Sequence, residues 1–137
     1  MREPIGDVGG AHWRLFPQPA VLADADLTTI GLTRQRAATL RTLARAVCDG
    51  RVDFRCEQTL AGFVARWIEL PGIGAWTAHY IAMRALSEPD AFPAADLVLR
   101  KAVATDGRAV STRALEEIAE AWRPWRAYAV LHLWRSM

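Results

Sequence analysis

Residues 70–84 read LPGIGAWTAHYIAMR. One proline and two glycines crowd positions 71–74, and an apolar pattern with helical spacing starts immediately afterwards. Proline and glycine are the poorest residues for a helix interior. The segment 70–74 therefore predicts a break, followed by a helix carrying Trp76, Tyr80, Ile81 and Met83 that ends before Pro89. Upstream, Leu60, Phe63, Val64, Trp67 and Ile68 recur at the same spacing. Two helices joined by a five-residue turn follow from this pattern.

The turn has a chemistry of its own. Gly72 and Gly74 lack a Cβ, so a ligand can come close to the main chain there. The first amides of the following helix have no partner within the helix and lie at the positive end of its dipole. Such a turn can hold a phosphate with backbone alone, and Thr77 can add a hydroxyl. Taken by itself, PGIG equally suits a plain helical hairpin closed by glycine.

Working outward, the rest of the chain is also helical. PAVLADADLTTIG reads as two short helical turns, the second capped by Asp24 or Asp26 and ended by Gly31. LTRQRAATLRTLARAVCDG is a helix capped by Thr33, with Ala37, Leu40, Leu43, Ala44 and Val47 as its apolar stripe and Gly50 as its stop. FPAADLVLRKAVATDG is a short helix with Asp96 in or next to its first turn. The last segment starts at Ser111 and is divided by Pro124. No segment alternates with period two over strand length. The expected fold is all-α, a bundle of six or seven helices containing one helix–hairpin–helix, with residues 1–18 an irregular lead-in and residues 19–137 the domain.

Composition narrows the function classes. A chain of 137 residues is one domain by length, 52% hydrophobic and 23% charged, which is ordinary for a globular protein. Its net charge of +2 is too small for a general polyanion binder. Cys48 and Cys56 make no CxxC pair and no ligand cluster, so neither zinc nor an iron–sulfur cluster is expected, and a cytoplasmic location fits such cysteine usage. No apolar run approaches membrane-spanning length. His12, His79 and His132 lack metal-ligand spacing, and His79 and His132 read as satisfied, partly buried imidazoles. Among 17 basic residues only Lys101 is lysine, so amine chemistry has one side-chain candidate. Arg34, Arg41 and Arg45 share one side of their helix and read as a solvated face.

Asp96 lies 22 residues beyond Gly74. A helix start favours the charged form of a carboxylate, and a simple cap is the plainest reading of it. An anionic acceptor one helix away from a phosphate-binding turn is a less common pairing. An enzyme acting on a nucleobase must extract it from the stack and needs aromatic faces to receive it. Six tryptophans supply them. Alkylated purines are cationic and are attracted to indole faces. Trp76 and Trp134 read as pocket residues, whereas Trp67, Trp122 and Trp125 read as core.

The sequence LPGIGAWTAHYIAMRAL, then DAFPAADLVLRKAV, then AWRPWRAYAVLHLW resembles the helix–hairpin–helix DNA glycosylases, of the bacterial 3-methyladenine DNA glycosylase II type. The match runs from about LFPQPAVLADADL to the C-terminus. The resemblance implies that Asp96 is the catalytic aspartate, stabilising positive charge on deoxyribose or helping water attack C1′. It implies that Trp76, Tyr80 and Trp134 form the base pocket and that Gly72, Gly74 and Thr77 touch DNA phosphate. It further implies that the main-chain carbonyls of Ile68, Leu70 and Ile73 hold a monovalent cation, Na+ or K+, while no other cofactor is required. The implied partner is double-stranded DNA containing alkylated bases.

Glycosylases of this superfamily that also nick the strand use a lysine at the position of Trp76. The resemblance thus implies base excision without strand cleavage. Family members carry further helices, including a wedge that fills the gap left by the flipped base, before the equivalent of residue 12. MREPIGDVGGA cannot supply them, so the chain is expected to be a C-terminal portion of the catalytic domain with an uncovered apolar face prone to self-association. Two readings remain at this stage: a glycosylase for alkylated bases, and a DNA-binding remnant without catalysis.

Overall fold

A computed structural model describes residues 15–54, 59–105 and 107–136. Among these residues the secondary structure is seven α-helices and two single 3-10 turns, with no strand, as the periodicity predicts. Two compact units are distinguished: one runs up to Asp53 and takes in Leu70–Gly72, and the other holds Phe54–Glu69 and Ile73–Met137. Most of the predicted lead-in, with His12 and Trp13, lies outside the described residues, as does Cys56.

In the first unit, α1 (Pro19–Asp24) packs on α2 (Arg34–Cys48). Between them Asp26 caps the 3-10 turn Leu27–Ile30, and Gly31 ends it at φ 88°. The Thr28 hydroxyl, and then its amide, hold the Asp26 carboxyl below the usual carboxylate range. Thr33 caps α2 by accepting from the Arg36 amide at 3.3 Å. The buried face of α2 is Ala37, Ala44 and Ala46, while Leu43 and Val47 are half-buried and Leu40 reaches the surface. The predicted stripe is thus turned toward Ala46. Alanines let a neighbouring helix approach closely, and that is the face α2 buries.

In the second unit, α3 (Leu60–Ile68) packs on α4 (Ala75–Ala85), and α5 (Leu97–Ala102) packs on both α6 (Thr112–Ala119) and α7 (Arg126–Arg135). Phe63 and Trp67 are fully buried and stack with ring centres 4.8 Å apart, and Phe54 meets Trp67 edge-on. Ala78, Ala82, Leu99, Leu115 and Val130 complete the interior. A 3-10 turn, Glu120–Trp122, ends just before Pro124, where the break was expected. Trp125 is a correction to the core reading: it is 58% exposed, caps α7 and packs edge-on against Tyr128 on the outside. Trp122 is half-buried against Phe92. His132 is exposed, again unlike the expectation, whereas His79 is half-buried.

The connection from α4 to α5 is pinned by charge. Arg126 is 8% exposed and grips Asp90 with two side-chain bonds of 2.7 Å, from Nε to Oδ1 and from a terminal nitrogen to Oδ2. It also donates to the Asp90 carbonyl at 3.0 Å, and Arg123 donates to Oδ2 at 2.7 Å. A two-pronged guanidinium–carboxylate pair fixes orientation as well as distance. Asp90 precedes Asp96 by six residues and Arg126 heads the helix carrying Trp134, so both site-bearing segments are anchored by this pair. No described helix is long and apolar enough to cross a membrane.

Candidate active site

The turn between α3 and α4 alternates in burial: Leu70 and Ile73 point inward, and Pro71, Gly72 and Gly74 are exposed. The two glycines are glycine for different reasons. Gly72 has φ 86°, a conformation that side-chained residues rarely adopt, and the place its side chain would take is filled by Thr39 of α2, with Thr39 Cγ2 at 3.0 Å. Gly74 has an ordinary φ of −95° and nothing within 4 Å of where a Cβ would sit. Gly72 thus has a reason within the fold to be glycine, whereas at Gly74 the space beside the main chain is open, as the close approach of a ligand requires.

Gly74 is also the cap of α4, and no side chain caps that helix. Among the described residues the amides of Ala75, Trp76 and Thr77 find no partner, and the Thr77 hydroxyl makes no hydrogen bond. Open amides at the start of an eleven-residue helix are suited to an anion. The carbonyls of Ile68, Leu70 and Ile73 likewise accept no hydrogen bond among the described residues. No group of His, Cys, Asp or Glu that could hold a metal occurs among those residues.

Asp96 caps α5, as the sequence predicts. Its Oδ1 accepts from the amides of Val98 at 2.8 Å and Leu99 at 3.0 Å. Its other oxygen, Oδ2, accepts from the indole Nε1–H of Trp76 at 3.0 Å. A carboxylate oxygen offers two lone pairs. Oδ1 is thus fully used, and one lone pair of Oδ2 remains for a reacting group. The carboxylate is half-buried, reachable but held from three directions.

Trp76 leads into the aromatic cluster. It stacks on Tyr80, one helical turn later, with centres 5.3 Å apart and planes 9° from parallel. Tyr80 in turn meets Trp134 of α7 at 6.1 Å and 46°. Trp76 and Tyr80 are each 37% exposed, so their outer surfaces are available to a flat ligand. Asp96, Trp76, Tyr80 and Trp134, named from sequence as one site, are joined by direct contacts in the folded chain.

Beneath them, His79 Nδ1 accepts from the Phe92 amide at 3.2 Å, which places the ring proton on Nε2. Burial, and then the nearby positive charge of Arg126, push His79 below its ordinary range, with Asp90 opposing. Sequence reasoning missed the His79–Phe92 bond, the Asp90–Arg126 pair and Thr39 beneath Gly72. These link positions 13, 36 and 33 residues apart, and no local pattern carries them.

No protein-family model matches the chain. It is 39% identical over 136 residues to a probable bifunctional transcriptional activator/DNA repair enzyme AlkA of Mycobacterium tuberculosis, covering 98% of this chain and 27% of that protein. It is 33% identical over 122 residues to DNA-3-methyladenine glycosylase 2 of Escherichia coli, covering 87% of this chain and 42% of that one. Among solved structures, the Schizosaccharomyces pombe 3-methyladenine DNA glycosylase in complex with abasic DNA shares the fold with a TM-score of 0.79 at 22% identity, over 88% of this chain and 63% of that one. The 3-methyladenine DNA glycosylase of Archaeoglobus fulgidus gives the same TM-score at 24% identity, over 96% and 46%. The chain thus spans about a quarter to a half of the curated relatives it matches. With the hairpin, the tethered aspartate and the aromatic cluster in this order, the chain resembles the helix–hairpin–helix DNA glycosylases: it is similar in sequence to DNA-3-methyladenine glycosylases over most of its length and shares their fold.

Proposed function

We propose that this chain carries the catalytic machinery for removing alkylated purines of the 3-methyladenine type from duplex DNA. The observation that carries the reading is the tether between Trp76 and Asp96, which sets a partly exposed carboxylate at the edge of an exposed aromatic stack. Residues 19–137 form the glycosylase portion. DNA as partner implies a cytoplasmic, nucleoid-associated protein.

Each part has a physical role. The open α4 amides with Gly72, Gly74 and Thr77 hold a backbone phosphate and set the strand. An extruded cationic base lies against the Trp76–Tyr80 stack and Trp134, attracted by the negative ring faces. The C1′–N bond then breaks, its electron pair leaves with the base, and the base becomes neutral. Positive charge appears on the sugar, where the free lone pair of Asp96 Oδ2 stabilises it. Water adds at C1′ and its proton passes toward the same carboxylate. Lys101, the single lysine, is exposed on α5, five residues past Asp96, which supports excision without a Schiff-base step.

The ion expected at the turn fits the donors present: the carbonyls of Ile68, Leu70 and Ile73 are hard oxygens without a hydrogen-bond donor among the described residues. Bound Na+ or K+ would be held by their lone pairs and would add positive charge at the turn. Self-association is a further part of the reading, supported by the exposure of Phe16, Ile30, Ile68, Leu97, Trp125 and Tyr128.

Incubating the purified chain with methylated duplex DNA and measuring released 3-methyladenine tests the proposal. Release above the spontaneous rate is expected. Salt-dependent duplex binding without any release would instead identify a DNA-binding remnant.

A further inference from the structure

Helix α2 carries Arg34, Arg36, Arg41 and Arg45 and no acidic residue. Arg34, Arg41 and Arg45 fall on one side, and carboxylates of the preceding segment answer the last two. Arg45 lies 3.6 Å from Asp24, and Arg41 exerts its charge on Asp26. Arg36 projects from the opposite side of the helix, by 100° per residue. Among the described residues it meets no carboxylate at ion-pair distance. It lines an open cavity of about 490 Å³ together with Gln35, Thr39, Leu40 and Gly72.

We propose that Arg36, with Gln35, forms a second phosphate subsite, beside Gly72, that grips the backbone of the bound DNA. This deepens the reading given above and rests on it. The donors suit an anion: Arg36 offers a planar fork and Gln35 an amide. The remaining wall does not compete, because the Thr39 hydroxyl already donates to the Gln35 carbonyl at 3.1 Å, and the Thr33 hydroxyl accepts from the Arg36 amide.

Placement supports the assignment. Thr39 is three residues after Arg36 on α2 and fills the place of the missing Gly72 side chain. That contact fixes the register of α2 against the turn, so Arg36 is held at a set position relative to Gly72.

The test compares the full chain with Arg36→Ala, Arg36→Lys and the control Arg113→Ala, measuring duplex affinity from 50 to 200 mM salt and the single-turnover release rate at saturation. Arg36→Ala should weaken binding roughly tenfold at 50 mM salt, equally for methylated and unmodified duplex. The deficit should shrink to about threefold at 200 mM, because losing one phosphate contact lowers the salt slope by about 0.9. Arg36→Lys should restore the slope, and Arg113→Ala should match the wild type in both affinity and release. Arg36→Ala binding within twofold of wild type with the same slope, or a deficit equalled by Arg113→Ala, would overturn the subsite alone. A wild-type chain without salt-dependent duplex binding would overturn both the subsite and the function on which it rests.

Discussion

Trp76 and Asp96 stand 20 residues apart in sequence and are joined by one bond, the indole Nε1–H donating to carboxylate Oδ2 at 3.0 Å. The same indole stacks on Tyr80. Trp76 therefore both offers a face to a base and aims the carboxylate. The two roles separate in Trp76→Phe, which keeps a ring and removes the donor. A hydrogen bond to a charged group contributes about 1.5–3 kcal/mol. Trp76→Phe should lower the single-turnover release rate by about tenfold or more, with DNA affinity within about twofold of wild type. Rapid-quench kinetics beside equilibrium binding checks it.

The two glycines of the turn should fail in different ways. Gly72→Ala forces a side chain into positive φ and into Thr39, which should cost about 2–4 kcal/mol of stability. Adding Thr39→Ala should recover the crowding part and not the conformational part. Gly74→Ala meets nothing and has an ordinary φ, so its stability should hardly change while duplex affinity falls, because the methyl covers the open amides. Urea denaturation paired with binding titrations separates the two.

His79 makes stability depend on pH. Its folded-state value lies below the ordinary 6.5, because burial and Arg126 disfavour the cation. Between the folded and unfolded values the unfolded chain binds more protons, so stability rises with pH there. The contribution is fully present above about pH 6.5 and is lost as pH falls through the folded value; protonation also removes the acceptor used by the Phe92 amide. Melting between pH 7.5 and 5 should show this loss, and His79→Asn should flatten it.

The Asp90–Arg126 pair predicts a structural loss. Arg126→Met leaves a part-buried carboxylate with Arg123 as its other guanidinium partner, and breaking such a pair costs about 3 kcal/mol or more. Arg126→Lys keeps the charge but not the fork and should recover only part of that stability. Denaturant midpoints for the two variants test this.

Local chemistry made much of the fold legible from sequence. Thr33, Ser111, Asp26 and Asp96 announce helix starts because their short side chains accept from backbone amides two or three residues on, and they do so here. Pro71, Gly72, Gly74 and Pro124 mark breaks for equally local reasons. What stayed hidden depends on which faces meet. Leu40 of α2 reads as core by periodicity but lies at the surface, whereas Ala37 and Ala44 of the same stripe are buried, with Ala46 beside them. Trp125 reads as core by size but caps α7 on the outside. At the site, the sequence named Asp96 and the aromatic residues, whereas the bond between Asp96 and Trp76 emerges only when α4 and α5 are in place.

The most direct measurement is the single-turnover release of 3-methyladenine from methylated duplex by wild type and Asp96→Asn, with stability and DNA affinity measured on the same preparations. Asparagine caps helices as well as aspartate, so the fold and the affinity should be kept. Release should fall by about a hundredfold or more as the negative charge is lost. An Asp96→Asn variant that releases the base at the wild-type rate would contradict the account.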